Sequence, residues 1–150
     1  MKRSFWLYLM NVLVIFFIVI VGFTLIALPF LIDKYIELTG KIINNSLWLK
    51  VFLYLTAIPF IVLLIMVKKL VNNIFYKNPF CRSSIAALNI ISICAFLDSI
   101  LYAFGTTFLL KNLISLILTI ASFMIGLTGL ILSQLFRTAT EIKQENDLTI

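Results

Sequence analysis

The chain has 150 residues, of which 63% are hydrophobic and 12% charged, with a net charge of +6 and a mean hydropathy of +1.15. Soluble domains carry roughly 25% charged residues, so this composition excludes an ordinary water-soluble domain and points to lipid as the solvent. Histidine is absent from the sequence, which excludes Ser-His-Asp and Cys-His catalysis.

Four runs are almost free of charge: residues 5–32, 47–67, 85–110 and 113–136. A helix needs ~20 apolar residues to cross a ~30 Å hydrocarbon core, and each run reaches that length. Helices satisfy their own backbone groups where no water is present. Residues 12–21 read V-L-V-I-F-F-I-V-I-V, without the alternation of a membrane barrel strand. The expected fold class is therefore all-α: an integral membrane four-helix bundle, one domain over residues 1–150, made of two antiparallel hairpins with both termini inside.

Span 1 follows Lys2 and Arg3. Its apolar stretch exceeds the ~7–15 residues of a signal peptide and no A-x-A site follows it, so it is read as a retained anchor. Pro29 and Pro59 are expected to kink spans 1 and 2. The first loop, residues 33–46, is mixed in charge and is expected outside, as a surface helical turn ending near Gly40. Span 2 is expected to run on through Lys69 to Tyr76. Asn78-Pro79 then breaks it, because the residue before proline avoids helical angles and proline lacks an amide donor. Ser83 or Ser84 is placed to cap span 3. The plain reading of residues 68–84 is a connection resting on anionic head groups through its cations; the functional one is a docking surface.

Span 3 holds Asp98, and no Lys or Arg is expected at its depth. Acids within spans are costly and usually face the bundle interior. Cys94, Asp98, Tyr102 and Gly105 share one helical face, and Tyr102 lies one turn from Asp98, within reach of a shared hydrogen bond. Asp98 is thus either a proton- or cation-binding group or a structural one. Only a few residues around Lys111 and Asn112 separate spans 3 and 4. Span 4 carries Ser115, Thr119, Ser122, Gly126, Gly129 and Ser133, whose spacing keeps them on one face. Such small residues let helix backbones approach closely, within the bundle or between copies. After Phe136 the chain turns polar. A helical stretch to Glu145 is expected to end at Asn146-Asp147, leaving the last three residues extended.

Eight of the 12 Lys and Arg flank the chain's ends or lie between spans 2 and 3. Cations are retained on the cytoplasmic side, which places the termini and the middle loop inside. Trp6, Tyr8, Phe75 and Tyr76 would form the inner aromatic girdle, and Tyr35 and Trp48 the outer one. The same rule accounts for the basic charge, so direct nucleic-acid binding is not expected. Cys81 falls in the inner loop and Cys94 inside a span, so no disulfide is expected. The sequence has no cluster at metal-ligand spacing, no P-loop and no dinucleotide fingerprint. An intramembrane aspartyl enzyme would want two facing carboxylates, and only Asp98 is available. The chain is therefore expected to be no enzyme and to need no cofactor.

The four-span layout, Asn78-Pro79-Phe80 ahead of the third span, and the ending Glu145-Asn146-Asp147-Leu148-Thr149-Ile150 resemble a bacterial family of small four-span membrane proteins of unknown function. Genes of that family often lie beside a small helix-turn-helix regulator of the Cro type. The resemblance implies a multi-pass protein of the bacterial cytoplasmic membrane that takes part in a transcriptional switch. Its docking surface for such a regulator would comprise Lys77, Asn78, Pro79, Phe80, Arg82, Asn146, Asp147, Leu148 and Thr149. The alternative reading is an oligomeric transporter or channel subunit that uses Asp98, with the span 4 stripe as the contact between two copies.

Overall fold

The computed structural model describes residues 2–39, 46–76, 80–110 and 113–148. Four long helices make up these residues: α1 Lys2–Thr39, α2 Ser46–Phe75, α3 Arg82–Gly105 and α4 Leu113–Leu148, with a π-helical turn at Thr106–Leu110. Among the described residues there is no strand. All four helices are long and apolar enough to cross a membrane. At 1.5 Å per residue, α3 with its 24 residues is ~36 Å long and comes nearest to the hydrocarbon thickness. The other three are longer, so their ends project.

Contacts in this all-α bundle follow chain order: α1 packs on α2, α2 on α3, and α3 on α4. Half of the most apolar stretch of α3 is buried, against 17% for α2 and α4 and none for α1. α3 is therefore the centre of the molecule, and α1 is a peripheral helix apolar all round, as a helix facing lipid must be.

Polar ties fix each antiparallel pair. Between α1 and α2, Tyr54 donates its hydroxyl to the Leu25 carbonyl at 3.1 Å, and Lys50 pairs with Asp33 at 2.6 Å. Between α2 and α3, Asn73 donates to the Ser84 hydroxyl at 3.0 Å. Between α3 and α4, Ser99 donates to the Thr119 carbonyl at 3.0 Å and Ser133 to Asn89 Oδ1 at 2.6 Å. Each bond satisfies a group that lipid could not.

Several boundaries differ from the sequence expectation. α1 continues to Thr39 as one helix, so Asp33 to Thr39 is not a separate surface turn. α3 begins at Arg82 and its N-cap is Cys81, in extended backbone with φ −129° and ψ 157°. The Cys81 carbonyl accepts the amides of Ser84 and Ile85 at 2.9 and 3.2 Å. Ser84 does not cap: it is fully buried, and its hydroxyl is taken by Asn73, so it joins two helices instead. α4 does not stop at Asn146-Asp147 but stays helical through Leu148. Propagating a formed helix adds one bond per residue fixed, which outweighs the weak stop signal. Lys77, Asn78, Pro79, Thr149 and Ile150, with the loops at 40–45 and 111–112, lie outside the described residues.

Candidate functional site

Two places gather polar side chains: a cleft at mid-helix and a groove at the end of the bundle where α3 begins. The cleft lies over α3 between α2 and α4. Its volume is about 150 Å³, and it is lined by Phe60 and Leu63 of α2, Ala95, Asp98 and Tyr102 of α3, and Leu118, Ala121, Ser122 and Ile125 of α4. Asp98 is 3% exposed, and its Oδ1 is buried without a hydrogen-bond partner. Ser122 donates back to its own helix, to the Leu118 and Thr119 carbonyls at 2.8 and 3.0 Å. The Tyr102 hydroxyl is turned toward Thr56 of α2. No described hydrogen bond joins Tyr102 to Asp98, so the pairing suggested by their spacing is not made. Nor does Cys94 share the cleft. It lines a separate apolar cavity of about 430 Å³ between α2 and α3, with Leu55, Ile58, Pro59 and Leu97 among its walls.

The small residues of α4 face α3. Ser115, Ser122, Gly126, Gly129 and Ser133 are buried and Thr119 half-buried. A Cβ added at Gly126 would come within 2.9 Å of the Phe96 ring, and one at Gly129 would overlap the Ser92 hydroxyl. The stripe is thus packed against α3 inside the chain.

The groove lies between the first turns of α3 and the part of α4 beyond its apolar run. Its volume is about 420 Å³. Arg82 and Asn89 line one wall, and Arg137, Thr140, Glu141 and Gln144 the other. The Arg137 guanidinium donates Nε–H to Glu141 at 3.2 Å on the exposed side. The Phe80 and Phe136 rings lie 5.1 Å apart between centroids and hold the end of the α2–α3 connection against α4. Cys81 sits beside them. Burial pushes its thiol up, but hydrogen bonding with the Ser84 side chain and the amides of Ser84 and Ser83, with the charge of Lys69, holds it below its ordinary value.

The family model described as "Protein of unknown function (DUF2975)" matches residues 35–150. The chain belongs to this family. It is 32% identical over 148 residues to the uncharacterized membrane protein YoaS of Bacillus subtilis (strain 168), a match that covers 89% of the chain and 92% of the relative. No solved structure matches. With its four membrane-length helices, this DUF2975 chain is a multi-pass membrane protein. The matched stretch takes in α2, α3 and α4 whole and only the last turns of α1. It therefore contains both the cleft and the groove.

Of the residues singled out for docking in this DUF2975 chain, Arg82 lines the groove, Phe80 packs on Phe136 of α4, and Asn146 is exposed on the projecting end of α4. Asp147 and Leu148 continue that helix, while Lys77, Asn78, Pro79 and Thr149 fall outside the described residues. Sequence reasoning missed the partners on α3. Ser92 and Ser99, two helical turns apart, meet the stripe on α4 at Gly129 and Thr119, and that periodicity was the available signal. Nothing local marks Thr56, Asn73 or Asn89, because their partners lie on other helices. Among the described residues, no three His, Cys, Asp or Glu side chains group as metal ligands would.

Proposed function

We propose that this protein is a non-enzymatic regulatory component of the bacterial cytoplasmic membrane that holds a small soluble helix-turn-helix regulator on its inner face. The observation that carries the reading is the groove between the start of α3 and the projecting end of α4, with Arg82 and Arg137 on opposite walls. A groove of that size, framed by a charged helix and open to water, suits an acidic or polar helix laid along it. Complementary charge would steer the encounter and fix its register. Holding the regulator at the membrane would keep it from its operator, and a signal that loosens the groove would release it.

Co-purification of the regulator encoded beside the gene tests the reading. The double variant Arg82→Glu/Arg137→Glu should lower recovery at least about tenfold while elution of the detergent-extracted protein stays unchanged. Undiminished recovery from that variant and from a chain ending at Thr140 would remove the groove as the docking surface.

The transporter reading has one specific support, the unpartnered carboxyl oxygen of Asp98 in its cleft. Flux into proteoliposomes tests it: equal flux with wild type and Asp98→Asn, or none with either, ends it.

A further inference from the structure

We propose that the cleft over Asp98 is a binding site for a small lipophilic organic cation that enters from the bilayer. Three observations carry this. First, the floor is polar and closed. Ala95, Asp98 and Ser122 are buried, and Asp98 Oδ1 accepts no hydrogen bond while the Ser122 hydroxyl of the same cleft is engaged on its own helix. An acceptor left unpaired at this depth is costly, and a ligand that supplies a positive charge removes that cost.

Second, the rim is apolar and open sideways. Phe60, Leu118, Ala121 and Ile125 are exposed on the flanks of the helices, and α1, which packs against α2, supplies no residue to the cleft lining. In a helix that crosses a membrane, an exposed apolar flank faces lipid. A ligand dissolved in the bilayer reaches Asp98 without passing through either aqueous face.

Third, the donor set selects the kind of cation. Among the lining side chains only Asp98, Tyr102 and Ser122 carry oxygen. A divalent metal ion wants about six or more oxygen ligands, and hydrocarbon walls cannot replace its water. An organic ammonium spreads its charge over a mostly apolar body and asks for little more than one carboxylate and aromatic faces. Phe60 and Tyr102 supply such faces. The volume of about 150 Å³ matches an apolar cavity that accommodates a benzene ring, so the ligand is of the size of a phenyl group bearing a compact ammonium.

Binding of this kind is the first step that the transport reading would need, and an equilibrium measurement reads it without flux. The full-length protein in lipid nanodiscs is dialysed against radiolabelled phenyltrimethylammonium, with empty nanodiscs as background. Saturable uptake approaching one cation per chain is expected. Asp98→Asn, which keeps shape and removes charge, should weaken it at least about tenfold. Ala121→Phe, which fills the mouth and leaves Asp98 intact, should weaken it comparably. Asp33→Asn, which removes a carboxylate at the far end of α1, should leave it unchanged. Elution volume and helical circular dichroism verify that each variant is folded. Uptake no greater than that of empty nanodiscs, or an Asp98→Asn affinity within about twofold of wild type, overturns the proposal. Binding without flux would sink only the transport reading.

Discussion

Gly129 has the tightest consequence of any single residue on α4. A methyl group there would meet the Ser92 hydroxyl, whereas the Ser92 Cβ is 3.5 Å away and the Leu88 carbonyl 3.7 Å, both ordinary contacts. Ser92 is fully buried and its hydroxyl bonds its own helix at the Leu88 carbonyl, so it cannot swing away freely. Gly129→Ala is therefore expected to destabilise the fold by ~1–3 kcal/mol, the usual cost of overpacking. Ser92→Ala in the same chain removes the one atom in the way and should restore most of that loss. Thermal unfolding in micelles reads both; a double variant no more stable than Gly129→Ala contradicts the geometry. A second test at this scale is Ser133→Ala. It leaves Asn89 Oδ1 without its donor and should cost ~0.6–2 kcal/mol, the range for hydrogen bonds between membrane helices. The small residues of α4 were legible in the sequence because they share one helix and one period. Ser92 and Asn89 as their partners were not, because which turn of α3 lies opposite depends on how the two helices are set against each other.

At the scale of elements, α4 is two things joined end to end. Up to Phe136 it is an apolar helix packed on α3. Beyond it, residues 141–146 are all exposed, and a helix of that length is marginal alone in water. It persists because the packed part nucleates it. Lys143→Pro should accordingly unwind the projecting end, at a local cost of ~3 kcal/mol, without lowering the melting point of the spans. Amide hydrogen exchange of residues 139–147 reads the local effect: protection there unchanged by proline would mean that the end is held by contacts other than its own helix. The same reasoning explains why the expected stop at Asn146-Asp147 was missed. Local stop signals of ordinary strength fail against a long formed helix, whereas the presence and apolar character of all four helices were plain from the sequence.

For the whole molecule, the two cysteines report the topology. Cys81 is partly exposed at the start of α3 and Cys94 is buried within it. With the α2–α3 connection on the inner side, a membrane-impermeant maleimide should label one thiol per chain in inside-out vesicles and none in intact cells. Cys81→Ser should abolish the labelling. Because hydrogen bonds and the charge of Lys69 hold the Cys81 thiol below its ordinary value, its reaction with maleimide should outpace that of a free cysteine. Labelling from outside would invert the orientation drawn from the cations. The four membrane-length helices and the membrane itself were determined by the sequence alone, and the orientation is an expectation that the cations carry. Each depends on additive properties of contiguous segments, namely apolar length and the sum of nearby charge. What only the tertiary structure decided is the chain-order packing with α3 at the centre, the separation of Cys94 from Asp98 into different cavities, and the groove joining Arg82 to Arg137. These depend on the rotation and depth of one helix against another, which are set by contacts among residues far apart in the chain.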